Sequence, residues 1–362
     1  MPQLAPTEIL ARVQRDTERS VLRAKNGIKH FAGIDHAEVG RSPKDVVWQS
    51  DKVELWHYHN ENITQSTPIL LVMSLVTRSY ILDLYPGNSV VEALRDAGFD
   101  VFMIDWGVPD QHEADHTLEH YVDGYLPPAA RRVMEVSGAE DLTVLGYCFG
   151  GVLALLFAAA HPELSVRHLV TMATPVDFSR LGFLTAMTAE KRLEIDDYID
   201  ETGNVPAESV RQTFRLLKPT ADLQQYASLW QNLWNDQYME GYQAMGRWVN
   251  DHVPFPGAAA RQSLDMLMRR NAFMAEGELR LDNQAISLED IDCSVLNVVA
   301  EKDHICPVAA AEPLVHLVGS DDAHELRLDA GHVGLVAGRQ AAKVTLPRII
   351  EWLTERNEQV ER

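Results

Sequence analysis

The stretch TVLGYCFGGVLALL (Thr143–Leu156) reads as a strand that turns sharply into a helix. At the turn stands Gly146-Tyr147-Cys148-Phe149-Gly150, the G-x-S-x-G pattern of a nucleophile elbow with cysteine in the serine position. A nucleophile in such a turn is backbone-strained and crowded, so its neighbours must be small, as Gly146, Gly150 and Gly151 are. Its place at a helix N-terminus favours the thiolate over the thiol. The backbone N–H of Phe149 is the expected first donor to a developing oxyanion, and a second is expected from the loop after PILLVMS, at Val76.

Outward from the elbow, apolar runs of strand length alternate with helical segments. KVELWHY (52–58) and PILLVMSLV (68–76) are the first strand candidates, and SVVEALRDAG (89–98) is an amphipathic helix capped by Ser89 and stopped by Gly98. DVFMIDW (100–106) is a buried strand, followed by a helix over 117–137 that Pro127-Pro128 should kink or divide. VRHLVTMATP (166–175) is a further strand. From about 179 to 290 the strand rhythm gives way to helical stretches, including one over 227–249, and returns with CSVLNVVAEKD (293–303) and HELRLDAGH (324–332). A last helix is expected over 340–356. This alternation implies a mostly parallel sheet covered on both faces, with a helical insertion between its sixth and seventh strands. The division that follows is an N-terminal helix and loop over 1–48, a core of 49–178 and 291–362, and a helical cap over 179–290. Trp230 and Trp234, four apart, are expected to serve the cap's own packing; a docking surface is the sharper alternative.

In an open parallel sheet reactive side chains gather just past the carboxyl ends of the strands. Cys148, Asp303 and His332 each stand at such an end, and their chain order, nucleophile, acid, histidine, is that of α/β-hydrolase triads. An α/β-hydrolase core with a helical cap is therefore the expected fold. Cys293 opens a buried strand and Cys306 has no activating setting, so both are read as bystanders.

The rest of the composition bounds the function. Of 362 residues, 46% are hydrophobic, and 32 Lys and Arg face 53 Asp and Glu, a formal charge of −21. That balance argues against a nucleic-acid binder, which would carry a basic face. Three cysteines argue against a disulfide framework and for a reducing compartment. There is no signal-peptide core, and no apolar run nears the ~18–20 residues of a membrane span, so a cytoplasmic location is expected. His112, His116 and His120 recur every four residues, but the run should start in a loop with Thr117 as a helix cap, which would keep the three off one face; no metal is expected there. No phosphate loop or dinucleotide fingerprint is present, so no cofactor is expected.

Taken together, SPKDVVW (42–48), the stretch from Ser79 to Asp110 with its IDWG strand end, LGYCFGG (145–151), LVTMATPVDF (169–178), LNVVAEKDHICP (296–307) and GHVG (331–334) resemble the polyhydroxyalkanoate synthases. In length the chain resembles the short subunits of the two-component class III and IV enzymes. The resemblance implies that Cys148 is acylated, that His332 is the general base, and that Asp303 assists His332 or the activation of the substrate hydroxyl. The loop departs from it at Thr77-Arg78-Ser79-Tyr80, where relatives commonly show an Asn-Arg-Pro-Tyr type of sequence. The resemblance further implies a 3-hydroxyacyl-CoA substrate, short-chain 3-hydroxybutyryl-CoA by expectation, a homodimer, a second non-homologous subunit and residence at the surface of polyester granules. A thiol-dependent esterase, thioesterase or depolymerase on the same scaffold is the competing enzyme reading, and a non-catalytic scaffold the competing class.

Overall fold

The computed structural model describes residues 6–31, 37–188, 194–217 and 229–360. Its frame is one eight-stranded sheet: β1 (Lys44–Ser50), β2 (Val53–Tyr58), β3 (Ile69–Val72), β4 (Val101–Asp105), β5 (Leu142–Tyr147), β6 (Val166–Met172), β7 (Ser294–Ala300) and β8 (Ala323–Leu328). The strands lie in the order β1-β2-β4-β3-β5-β6-β7-β8. Only β2 runs against its neighbours; from β4 to β8 every pair is parallel. Every residue of β3 and β5 is buried, which follows from helices covering both faces of a parallel sheet. This is the α/β-hydrolase architecture.

Strand β1 was not expected, because 33–48 reads as loop. Its burial is mixed, Val46 is half exposed, and a bulge between Val46 and Trp48 breaks its pairing with β2. An edge strand with a bulge lacks clean two-residue alternation, and pairing with β2, not pattern, makes it a strand.

The principal helices among the described residues are α1 (Pro6–Phe31), α2 (Val90–Asp96), α3 (Leu126–Ser137), α4 (Phe149–Ala160), α5 (Ala207–Leu217), α6 (Asp236–Asn250), α7 (Gly257–Gln262) and α8 (Leu346–Arg356), with shorter ones such as Phe183–Thr188 between them. Ser89 caps α2 by accepting the Glu92 N–H at 3.0 Å. The helix expected over 117–137 runs without a break from 118 to 137, and a π-helical stretch, His120–Tyr125, directly precedes α3, whose second residue is Pro127. The last helix likewise opens with a π-helical stretch, Ala341–Thr345, before α8.

Between β6 and β7 the chain carries α5, α6 and α7, together with a two-residue ladder that pairs Asn204–Val205 with Phe255–Pro256. The helix expected over 227–249 is interrupted at Leu233–Asn235, where the Asn235 carboxamide accepts the Tyr238 N–H and starts α6 afresh; residues 227 and 228 lie outside the described residues. Of the two tryptophans, Trp230 does not serve cap packing as expected, while half-buried Trp234 donates its Nε1 to Gln231 O at 3.0 Å within the insertion. Trp230 is 72% exposed, and Trp234 lies under the Arg19 guanidinium, 4.2 Å from the ring centroid. Among the described residues no helix is long and apolar enough to cross a membrane.

On β6 the His168 ring is buried edge-on to Trp352, and neither ring nitrogen has a hydrogen-bond partner. Burial, reinforced by Arg167, lowers its pKa to about 4. Above pH 6.5 the ring is neutral whether folded or not and pH has no leverage. Below it the unfolded chain binds a proton that the native ring refuses, so stability falls as pH drops toward about 4. The slope is about 1.4 kcal/mol per pH unit for one proton. His168→Leu is expected to flatten the acid limb of denaturant midpoints by about that slope; equal limbs for the two proteins would refute it.

Candidate active site

Strand β5 delivers Cys148 to the start of α4. Cys148 has φ 57° and ψ −124°, a conformation that costs an L-residue about 1–3 kcal/mol. The turn is held because both backbone groups of Cys148 are bonded: its N–H donates to Met172 O at 2.9 Å, and its carbonyl accepts the Gly151 N–H at 3.0 Å. The glycines are dictated by contact. A Cβ on Gly146 would lie 2.5 Å from Gly151 Cα, and one on Gly150 would lie 2.2 Å from the carbonyl oxygen of Val72. Strand β3 and helix α4 therefore touch backbone to backbone beside the nucleophile.

Asp303 lies just past β7 and His332 just past β8. The two loops are tied by backbone bonds from Glu301 N–H to Leu328 O and from Lys302 N–H to Ala330 O, each 2.9 Å. Asp303 Oδ2 meets His332 Nδ1 at 2.7 Å, while Asp303 Oδ1 accepts the N–H groups of Ile305 at 2.8 Å and Cys306 at 2.9 Å. With both its oxygens engaged, the carboxylate is fixed in orientation and the histidine with it. Burial alone would lower the His332 pKa, but the Cys148 charge and the hydrogen bond to Asp303 outweigh it and hold it well above the usual histidine range. His332 and Asp303, 29 residues apart in sequence, are thus joined by a hydrogen bond, and Cys148 stands at the end of β5 in the same parallel sheet.

The other two thiols are in different surroundings. Burial pushes Cys293 up to about 12, and burial followed by the charges of Asp303 and Cys148 pushes Cys306 well above its ordinary value. Both stay protonated, and a protonated buried thiol is a poor nucleophile. Cys306 contributes through its main chain, as a donor to Asp303.

Phe149 is the first residue of α4, so its N–H has no acceptor within the helix. The Val76 N–H turns to Ser74 Oγ at 3.4 Å, and the Val76 side chain packs with Val205, Val210 and Ala260 of the cap. Aromatic contact joins the same two parts, since Phe149 and Phe255 stand edge to face at 5.9 Å. The IDWG strand end now has a local meaning: Trp106 Nε1 donates to Met73 O at 2.8 Å, and Asp105 accepts from Ser79 Oγ and from the Gly107 N–H. It braces both ends of the loop that follows β3. Sequence reasoning missed the cap's part in this loop, because no local pattern ties Asp251 to Arg78 and Tyr80.

His116 and His120 stack at 4.6 Å, closer than a loop start would suggest. Thr117 is the cap expected, and its N–H donates to His120 Nδ1 at 3.0 Å, so one ring is used in closing the helix start. Among the described residues no group of three His, Cys, Asp or Glu is arranged to hold a metal ion.

Comparison with known proteins agrees with this geometry. A sequence-family profile described as alpha/beta hydrolase fold matches residues 67–338, and one described as poly-beta-hydroxybutyrate polymerase (PhaC) N-terminus matches residues 13–94. The poly(3-hydroxyalkanoate) polymerase subunit PhaC of Allochromatium vinosum is 34% identical over 334 residues, covering 91% of this chain and 93% of that one. The protein of the same name from Haloferax mediterranei is 34% identical over 328 residues, 90% of this chain and 66% of its own length. The crystal structure of epoxide hydrolase A from Mycobacterium thermoresistibile, 15% identical, covers 88% of this chain and all of its own with a TM-score of 0.53, and shares the fold alone. With a PhaC-type N-terminus, a hydrolase core and relatives matched over nine-tenths of its length, the chain belongs to the poly(3-hydroxyalkanoate) polymerase PhaC family.

Proposed function

We propose that this chain is an acyltransferase that polymerises 3-hydroxyacyl-CoA, with 3-hydroxybutyryl-CoA as the expected substrate, into polyester through a thioester on Cys148. What supports the reading is the hydrogen-bonded pair His332–Asp303 past β8 and β7, with Cys148 in the strained turn after β5, in a member of the PhaC family. His332 takes the Cys148 proton, and the sulfur attacks the thioester carbonyl. The tetrahedral oxyanion is received by the Phe149 N–H and by the Val76 N–H, which exchanges its 3.4 Å bond to the Ser74 hydroxyl for the oxyanion. Collapse breaks the C–S bond to coenzyme A, whose thiolate leaves with the proton from His332. The 3-hydroxyl of the next unit then gives its proton to His332 and attacks the Cys148 thioester, which forms an oxoester and frees the cysteine.

The thiol suits this sequence. The first exchange trades one thioester for another at nearly no cost in free energy, and the group stays activated for the downhill step to oxoester. The cap over 179–290 excludes water from that intermediate. No step uses a cofactor. By analogy with the family, the working form is a homodimer with a second, non-homologous subunit, located in the cytoplasm at the granule surface.

Incubation of the protein with hydroxybutyryl-CoA tests the reading. Coenzyme A release accompanied by insoluble polyester is expected. Release accompanied by free acid alone would replace it with a thioesterase, and no release would end it.

A further inference from the structure

The loop between β3 and the 3₁₀ turn Ser79–Leu82 is hydrogen-bonded to the core at its ends, at Met73 and Ser79, and Leu75 is buried in the core between them. Its middle is bonded to the cap. Thr77 pairs as an antiparallel bridge with His252, and the Val253 N–H donates to Val76 O at 3.3 Å. Trp248 Nε1, at the end of α6, donates to Arg78 O at 3.0 Å. The Asp251 carboxylate then closes the contact from both sides, accepting from Arg78 Nε at 3.4 Å on one oxygen and from the Tyr80 hydroxyl at 3.0 Å on the other. Burial and the adjacent Asp251 charge raise the Tyr80 pKa, so its hydroxyl stays a donor to the carboxylate at any working pH. Two backbone carbonyls and two side chains of a five-residue stretch are thus answered by the six residues Trp248 to Val253.

We infer that Asp251 is a positioning residue for the reaction: by gripping Arg78 and Tyr80 it holds the Val76 segment where an oxyanion donor is needed, so that the hole is complete only when the cap is seated. This rests on the acyl-transfer reading above. The physical reason is that an oxyanion donor acts by being fixed before the charge arrives. Beyond the buried Leu75, the stretch from Val76 to Tyr80 depends on the cap for its order, and the Asp251 carboxylate supplies two side-chain bonds to it. Binding of the substrate's remote parts needs no such order, so the loss should fall on turnover and not on affinity. Motion of the cap away from the core would also dismantle the hole, so an open cap would not acylate Cys148.

The test compares wild type, Asp251→Ala and Asp251→Asn in the rapid release of coenzyme A from hydroxybutyryl-CoA, alongside alkylation of Cys148 by iodoacetamide. Alkylation uses the thiolate and His332 but develops no oxyanion, so it reports the nucleophile without the hole. Asp251→Ala is expected to slow acylation by roughly 10- to 100-fold, within the range for loss of one oxyanion donor, with KM changed little and alkylation at the wild-type rate. Asp251→Asn keeps an acceptor for Tyr80 and should recover part of the loss. Unchanged acylation in Asp251→Ala would overturn the inference, and so would a parallel fall in alkylation, which would make Asp251 merely structural. If wild type releases no coenzyme A, the acyl-CoA reading itself fails. The same three proteins are then compared by the nitrophenol burst from p-nitrophenyl butyrate, which needs the hole but not the thioester substrate, with the same two overturning results.

Discussion

Replacing Cys148 by Ser is expected to cut polyester formation from hydroxybutyryl-CoA by roughly 10³-fold or more, while the thermal unfolding midpoint stays near that of wild type. The side chains differ by one atom, and the strained turn is held by backbone bonds to Met172 and Gly151 that do not involve the sulfur. What changes is chemistry. A serine hydroxyl is barely ionised at neutral pH and needs its base at full strength, whereas a thiol facing a partnered histidine gives up its proton easily. An acyl group that does reach the introduced hydroxyl becomes an oxoester, and its transfer to another hydroxyl has lost the driving force of the thioester. The serine variant should therefore retain any acyl group it acquires. Intact-mass measurement after substrate exposure should show an adduct on wild type that neutral hydroxylamine removes quickly and one on the variant that resists it. Polymer synthesis by Cys148→Ser at the wild-type rate would rule out the covalent role of this residue.

The second large effect is expected from a single methyl group. In Gly150→Ala the new Cβ would sit 2.2 Å from Val72 O and 2.7 Å from Met73 C, both main-chain atoms with no rotamer to escape through. Either α4 or the end of β3 must move, and both border the elbow. Overpacking of this kind costs about 3 kcal/mol or more when backbone has to shift, a drop of several degrees in melting midpoint for a chain of this size. Activity should fall further than stability does, because Met73 begins the loop that leads to Val76 and the movement enters the oxyanion hole directly. Thermal melts and coenzyme A release measured on one preparation would separate the two. A variant that melts and turns over like wild type would show that β3 and α4 are not in contact at this point.

The elbow and the sheet that carries it were legible because their signals are local. Gly146, Cys148 and Gly150 stand at alternate positions of one five-residue motif, and buried runs such as Leu142–Tyr147 announce strands by composition alone. Asp303 and His332 were legible through their position after strands, a rule of parallel sheets that needs no knowledge of contacts. Other elements left weaker traces. Strand β1 has an exposed, bulged pattern that only pairing with β2 turns into a strand. The break at Leu233–Asn235 is set by a side-chain cap inside a stretch that otherwise reads as one helix. Trp230 and Trp234 have the spacing of a packing pair but lie one exposed and one beneath Arg19, because helical spacing states which residues share a face and not what covers it.

The sequence by itself singled out Cys148, Asp303 and His332 as candidates and the buried strands that precede them, since each rests on a short motif or on the end of a buried strand. The tertiary structure alone decided how the loop after β3 is held. Asp251 and Arg78 are 173 residues apart, and no periodicity or motif predicts that a cap carboxylate grips the loop after β3. That contact exists because the insertion between β6 and β7 folds back over the carboxyl ends of the strands, where the elbow, the acid and the histidine already stand. A residue's chemistry can be read from its type and its neighbours in the chain; whether it is held still depends on what the folded chain brings against it.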